Sequence, residues 1–256
     1  MHILFFGDTS FSEPSHRVLV QHGYNITVIG KKDGSLRDDE FFEYFKSLNP
    51  DLCIVADYGR IIPSRYLKLP KYGFINIHPS LLPKYRGPSP IQTAIINGDT
   101  ETGVTIIVVD EEVDHGKIVS SIKYSVLRIK GYKEIEKELA ELGAKLLIET
   151  LPKYIGGQIK PREQDHSQAT FTKMFAREDG RINWKEPVEK IYNQIRALNP
   201  EPGTWTMWKN KILNVRKADI ADGKIQIEVL QLEGKKETTL KEFLNGHPNF
   251  NTSQTK

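Results

Sequence analysis

The chain has 256 residues, of which 38% are hydrophobic and 27% are charged, and its formal net charge is +3. These values fit a globular protein with one large domain, or with one medium domain and a small one. The single cysteine, Cys53, excludes an intrachain disulfide, and no run approaches the ~18 apolar residues of a membrane span, so we expect a cytoplasmic protein that does not contact a membrane.

Strand-like and helix-like segments alternate over residues 1–151, which predicts an α/β domain. Apolar runs predict strands at 3–6, 24–29, 52–56, 74–77, 103–109 and 118–124, and helical periodicity is found at 11–23, 36–48, 90–97 and 133–151. Ser35 is predicted to cap the second helix. Gly7 follows the first strand without the other glycines of a dinucleotide fingerprint, so NAD binding is not expected. The pattern indicates a Rossmann-like, doubly wound and mostly parallel sheet.

Three polar side chains near the ends of two predicted strands are the candidate catalytic residues. Asn76 and His78 lie two positions apart, so they point to the same face of their strand. Asp114 follows the strand at 103–109 and converges with them if the two strand ends are neighbours. An amide, an imidazole and a carboxylate in contact can bind a carbonyl oxygen and move a proton while an amine attacks that carbonyl. Each residue alone also has a structural explanation, and we expect His78 and Asp114 to lie at a strand end that faces solvent.

The loop at residues 58–63 follows the third predicted strand. In open α/β sheets, ligands bind at this carboxyl edge. Ile61 and Ile62 can line a flat ring, or they can anchor the loop in the core, and the residue types leave both possibilities open.

Residues 152–170 are polar and contain Gly156, Gly157 and Pro161, so they are predicted to be a linker. The remainder, residues 171–256, is predicted to contain a helix at 187–198 and several short strands, including one at 238–243. It therefore resembles a small β-rich module, a reduced OB-like barrel. It carries 15 Lys and Arg against 11 Asp and Glu, which indicates either an anionic partner or a solvated surface.

Several sequence segments resemble a known enzyme family. The segment NIHPSLLPKYRG at 76–87, followed by DHG at 114–116, resembles the formyltetrahydrofolate-dependent formyltransferases. Other segments resemble the members of that family that act on methionyl-tRNA: PSPIQ at 88–92, NGDTETGVTI at 97–106, DGRINW at 179–184, IRALNPEPG at 195–203 and QLEGKK at 231–236. The resemblance covers nearly the whole chain.

The resemblance implies that a formyl group moves from 10-formyltetrahydrofolate to the α-amino group of methionine on initiator tRNA, in a monomer and without a metal. Asn76 and His78 would stabilise the oxyanion, and Asp114 would relay protons. The residues implied to bind the folate are Tyr58, Gly59, Ile61, Ile62, Pro63, Ser80, Leu81, Leu82, Pro83 and Val113. The residues implied to contact tRNA are Lys84, Arg86, Arg196, Lys235 and Lys236.

Two departures from the family pattern concern the acceptor. The long loop and helix that usually follow the second strand are absent, because residues 31–34 run almost directly into the next helix, and strands are missing between Ala218 and Lys224. An N-formyltransferase that acts on an amino-sugar nucleotide is the alternative. A non-catalytic protein that binds folate or tRNA is a third possibility, which the intact catalytic residues disfavour.

Overall fold

The structure, a computed structural model, describes residues 1–251 and contains two compact units. The first unit comprises residues 1–90, 101–125 and 134–172, and the second comprises 91–100, 126–133 and the chain from Lys173 onward. Neither unit is continuous in sequence. The division into 1–151, 152–170 and 171–256 stays a prediction.

A six-stranded sheet forms the centre of the first unit, in the order β2-β1-β3-β4-β5-β6. β1 to β4 are mutually parallel, whereas β5 is antiparallel to β4 and β6 is antiparallel to β5. This arrangement confirms the prediction of a Rossmann-like and mostly parallel sheet. The strands are β1 (His2–Phe6), β2 (Asn25–Ile29), β3 (Leu52–Val55), β4 (Phe74–His78), β5 (Glu101–Val108) and β6 (Ile118–Ser125).

Five α-helices lie between Glu13 and Ile155, and three of them differ from the sequence-based prediction. They are α1 (Glu13–Gln21), α2 (Asp39–Ser47), α3 (Ser64–Leu67), α4 (Pro90–Ile96) and α5 (Tyr132–Ile155). α3 was not predicted, and α2 and α5 have other ends. Ser35 does not cap α2, because Arg65 donates hydrogen bonds to the carbonyls of residues 36–38 and holds them in a turn. α5 passes Leu151 and Pro152 and ends at Ile155.

Aromatic side chains hold β4 in the core of the first unit. Phe74 on β4 packs against Phe6 at 5.8 Å and stacks on Phe45 at 6.1 Å, between ring centroids. All three are at most 1% exposed, and each such ring contributes about 1.5–3 kcal/mol by burial. Cys53 is fully buried in the same cluster, and burial raises the pKa of its thiol well above the usual value.

The second unit contains a four-stranded antiparallel sheet in the order β10-β9-β8-β7, which confirms a small β-rich region. Its elements are α6 (Val188–Leu198), β7 (Thr204–Trp208), β8 (Lys211–Ala221), β9 (Lys224–Leu232), β10 (Thr238–Thr239) and α7 (Leu240–Gly246). The predicted strand at 238–243 is wrong beyond Thr239. The Thr239 hydroxyl accepts from Glu242 N–H and Glu242 reaches back to Thr239 N–H, a capping box that starts α7 instead.

None of the helices within residues 1–251 combines the length and the apolar character that a membrane crossing requires.

Candidate active site

Asn76 and His78 lie on β4, which is flanked by β3 and β5 near the middle of the sheet. His78 is only 4% exposed, so the expectation that it faces solvent is wrong. The reason is the chain that follows β4. It folds back over the imidazole, and the main-chain carbonyl of Tyr85 lies 2.9 Å from His78 Nε2.

Asp114 reaches both β4 side chains. Its Oδ1 accepts a hydrogen bond from Asn76 Nδ2 at 3.1 Å and lies 3.5 Å from His78 Nδ1. Its Oδ2 accepts from the main-chain N–H of Gly87 at 2.8 Å. The Asp114 side chain is 12% exposed. The structure therefore brings the three predicted catalytic side chains together around one carboxylate.

The partner of His78 Nε2 determines which nitrogen exchanges a proton at the site. A carbonyl oxygen can only accept, so Nε2 carries a hydrogen and donates it to Tyr85. The other nitrogen, Nδ1, faces the Asp114 carboxylate. In the neutral ring Nδ1 is a proton acceptor, and in the protonated ring it is a donor that pairs with Asp114.

Asp114 arrives at the site through a loop rather than through adjacent strand ends. β5 runs antiparallel to β4, with His78 opposite Thr105 and Asn76 opposite Ile107, so the carboxyl ends of the two strands are not neighbours. The chain after β5 turns back, with Asp114 at φ +50°. A Cβ at Gly116 would lie 1.8 Å from the carbonyl oxygen of Val108, so only glycine fits this close approach.

The loop predicted to bind folate divides its side chains between the core and solvent. Tyr58 is 1% and Ile62 is 7% exposed, and both belong to the buried cluster, so they anchor the loop. Burial raises the pKa of the Tyr58 phenol. Ile61 is 73% exposed, Gly59 has φ +69° and Pro63 directly precedes α3. Val113, beside Asp114 in sequence, is 53% exposed.

The segment from Ser80 to Pro83 is also predicted to bind folate, and its polar groups form hydrogen bonds within the protein. The Ser80 hydroxyl donates to the carbonyl of Lys84 at 2.7 Å. Thr105 Oγ1 donates to the Ser80 carbonyl at 2.7 Å and accepts from Leu82 N–H at 3.2 Å. Leu81 and Pro83 are half-buried. These residues shape the chain between β4 and Gly87, and the Ser80 hydroxyl has a partner within the protein.

Gln164 was not predicted, although it contacts the site. It lies in the segment expected to be a linker, and it is 5% exposed. Its side-chain amide donates to the main-chain carbonyls of Asp114 and Gly116, each at 2.8 Å. No feature of the local sequence distinguishes a buried glutamine in a polar stretch from an exposed one.

Two of the five side chains predicted to contact tRNA instead form hydrogen bonds within the protein. Arg86 is 4% exposed and donates to Gln164 Oε1 and His166 Nδ1, so the prediction that it contacts RNA is wrong. Arg196 donates to Asn193 Oδ1 and to the carbonyl of Lys130, both at 2.9 Å, and burial lowers the pKa of its guanidinium. The exposed ones are Lys84, Lys235 and Lys236.

Over residues 1–251, no group of three or more His, Cys, Asp and Glu side chains is arranged to hold a metal ion.

Comparison with known proteins assigns the family. The model of the formyl transferase family matches residues 7–151, and that of the formyl transferase C-terminal domain matches residues 175–224. A methionyl-tRNA formyltransferase from Chloroflexus aurantiacus is 38% identical over 250 residues, covering 86% of this chain and 81% of the relative.

Solved structures share the fold at lower identity. HypX from Aquifex aeolicus with tetrahydrofolic acid has a TM-score of 0.77 at 19% identity, and the chain, covered to 97%, spans about half of HypX (47%). Methionyl-tRNA formyltransferase from Clostridium thermocellum has a TM-score of 0.70 at 23% identity, with coverage of 90% and 97%. A sugar N-formyltransferase from Shewanella has a TM-score of 0.71 at 16% identity, with coverage of 87% and 99%. On the family match and the curated relative, the chain belongs to the formyl transferase family.

Proposed function

We propose that the protein transfers the formyl group of 10-formyltetrahydrofolate to the α-amino group of methionine on initiator methionyl-tRNA. The amine nitrogen forms a bond to the formyl carbon, the bond from that carbon to N10 of the folate breaks, and one proton moves from the amine to N10. The products are formylmethionyl-tRNA and tetrahydrofolate. The observation that carries the proposal is the contact of Asp114 with both Asn76 and His78.

Asn76 and His78 are proposed to stabilise the negative charge that develops on the formyl oxygen. Asn76 Nδ2 has two hydrogens and gives one to Asp114, so the second is available to an oxyanion. Because Nε2 is engaged with Tyr85, His78 can donate only from Nδ1 of the protonated ring, and that hydrogen would be shared between Asp114 and the oxyanion. Donors held in place before reaction stabilise such an intermediate at no reorganisation cost.

Asp114 is proposed to accept the proton that the amine loses and to return it to N10. Its carboxylate is held by Asn76 and by the main-chain N–H of Gly87, and it is still partly exposed at 12%. A carboxylate fixed at this depth can exchange a proton with a bound amine. General acid–base steps of this kind contribute about 10²–10⁴-fold to rate.

The folate ring is proposed to bind beside Ile61 and Val113, the exposed apolar side chains of the two loops that the family resemblance assigns to the co-substrate. Tyr58 and Ile62 would hold the first loop from below, and Gly59 and Pro63 would offer main-chain groups. Flat rings are typically bound between apolar side chains with a few polar main-chain contacts.

Lys84, Lys235 and Lys236 are proposed to contact tRNA phosphates, because they are the exposed members of the predicted set. Phosphate contacts release counterions, so affinity for tRNA falls steeply with salt, and each lysine removed reduces the slope of log affinity against log salt by about 1. Replacing exposed Lys145 with alanine is the control, since it lies on α5 outside this set. Binding to tRNA that does not change with salt would contradict the phosphate contacts.

The protein is proposed to act as a cytoplasmic monomer.

The acceptor is tested with the purified full chain, 10-formyltetrahydrofolate and either methionyl-tRNA or a dTDP-amino sugar, while tetrahydrofolate release is followed. We expect turnover with methionyl-tRNA, because the relatives at higher identity act on it by name. Turnover with the dTDP-amino sugar and not with methionyl-tRNA would show that the acceptor is a sugar nucleotide. Release of tetrahydrofolate with neither acceptor would refute formyl transfer.

Asp114→Asn should reduce kcat by about 10²-fold or more, whereas His22→Ala, at an exposed histidine, should not change it.

A further inference from the structure

Gln164 has a side-chain orientation that its partners define without ambiguity. Its Nε2 lies 2.8 Å from two carbonyl oxygens, those of Asp114 and Gly116, and carbonyls only accept. Its Oε1 lies 3.2 Å from Nε and 2.7 Å from Nη2 of Arg86, and a guanidinium only donates. Rotating the amide by 180° would place oxygen against both carbonyls and an NH₂ group against a cation. The observed orientation therefore satisfies both hydrogens and the oxygen.

The same side chain connects the two segments that hold the Asp114 carboxylate. One segment is the loop at 114–116, which Gln164 binds directly. The other contains Arg86, and the next residue, Gly87, donates its N–H to Asp114 Oδ2 at 2.8 Å. Asp114 has φ +50°, a conformation that non-glycine residues rarely adopt and that persists where neighbouring contacts enforce it. Gln164 supplies two such contacts, at the carbonyl of Asp114 itself and at the carbonyl of Gly116.

Arg86 is in turn held by a second partner at the same nitrogen. Its Nη2 donates to His166 Nδ1 at 2.8 Å, and the His166 ring stacks on His115 at 4.1 Å between centroids, with 9° between the planes. His115 Nδ1 donates to Asp110 at 2.7 Å. The acceptor end of Gln164 thus faces a cation with little freedom to move.

We propose that Gln164 is a positioning residue for Asp114: it does not touch the substrates, but it holds the main chain of Asp114 so that the carboxylate stays against Asn76 and His78. The inference rests on the proposed formyl transfer at this site. Because Gln164 acts through Asp114, its removal affects the chemical step and leaves the binding of either substrate nearly unchanged.

The kinetic test uses Gln164→Glu and Gln164→Met, which keep the length of the side chain. Glutamate keeps an acceptor for Arg86 but loses both donors, and methionine loses donors and acceptor without adding a charge. We expect kcat to fall about 10–100-fold, with KM for each substrate within about twofold. Gln158→Glu, at an exposed glutamine of the first unit, is the matched control. An unchanged kcat in both variants, or a loss confined to KM, would overturn the proposal.

A double-mutant cycle separates positioning from general structural support. In an Asp114→Asn background the carboxylate is already lost, so replacing Gln164 should reduce the residual kcat by less than about twofold. An equal loss in both backgrounds would show that Gln164 acts independently of Asp114, and would reject the proposal.

A measurement without substrates keeps this inference separate from the proposed function. Hydrogen exchange of the peptide that covers residues 109–117 should be at least about tenfold faster in Gln164→Glu than in Gln158→Glu, because two anchoring hydrogen bonds are lost. Unchanged exchange would overturn the positioning role, whichever amine accepts the formyl group. Faster exchange in a protein that formylates no amine would uphold the role of Gln164 and refute only the function.

Discussion

Replacing Thr105 with valine should loosen the chain that follows β4. Thr105 is fully buried on β5, and its hydroxyl donates to the Ser80 carbonyl and accepts from Leu82 N–H. Valine has nearly the same shape and no hydroxyl. The substitution therefore creates no cavity, but it leaves one buried C=O and one buried N–H without these partners.

The expected loss of folding stability follows from those two unpaired groups. A buried polar group that loses its hydrogen bond costs about 1–3 kcal/mol, so the loss of two should lower the free energy of unfolding by about 2–6 kcal/mol. For a protein of this size, where 1 kcal/mol shifts Tm by about 2–4 °C, that corresponds to a decrease in Tm of about 4–24 °C. Thr105→Ser keeps the hydroxyl and removes one methyl, which costs about 1 kcal/mol.

Circular dichroism melting of the three proteins tests this reasoning, and kcat is measured in parallel. Tryptophan fluorescence is unsuitable, because Trp184, Trp205 and Trp208 all lie in the second unit. We expect Tm in the order wild type, serine, valine, and a lower kcat in the valine variant, since the segment after β4 leads to Tyr85 and Gly87. A valine variant as stable as the serine variant would refute the account of Thr105.

Three further predictions concern other parts of the chain. Gly116→Ala should reduce kcat by about tenfold or more, because the added Cβ would overlap the Val108 carbonyl and displace the Asp114 loop. The control is Gly246→Ala, where an added Cβ meets nothing within 4 Å. Equal kcat values in the two variants would contradict the predicted clash. The Cys53 thiol should resist a disulfide reagent until denaturant is added, because burial raises its pKa and blocks access; rapid labelling of the native protein would disprove this. Hydrogen bonds from Thr239 N–H and hydroxyl lower the pKa of Glu242, so its contribution to stability is complete above the unfolded value of about 4.5 and is lost as the pH falls through the folded value. The stability difference between wild type and Glu242→Gln, read by tryptophan fluorescence in urea, should therefore be present at pH 7 and vanish in acid, and a difference independent of pH would refute it.

The positions of the six strands of the first unit could be anticipated because each strand is marked by an apolar run and bounded by turn residues. Element ends were predicted less well where distant residues decide them. α2 starts late because Arg65, from a later helix, binds the carbonyls of residues 36–38. The segment after Thr239 becomes a helix because a local capping box outweighs its strand-like composition.

The sequence by itself determined the α/β class, the identity of Asn76, His78 and Asp114 as candidates, and the resemblance to formyltransferases, because strand periodicity and motif spacing are local properties. Only the tertiary structure decided how the candidates meet. β5 runs antiparallel to β4, so the loop carrying Asp114 turns back to reach Asn76. The tertiary structure also decided that Arg86 and Gln164 are buried beside the site, since burial depends on which distant segments pack together.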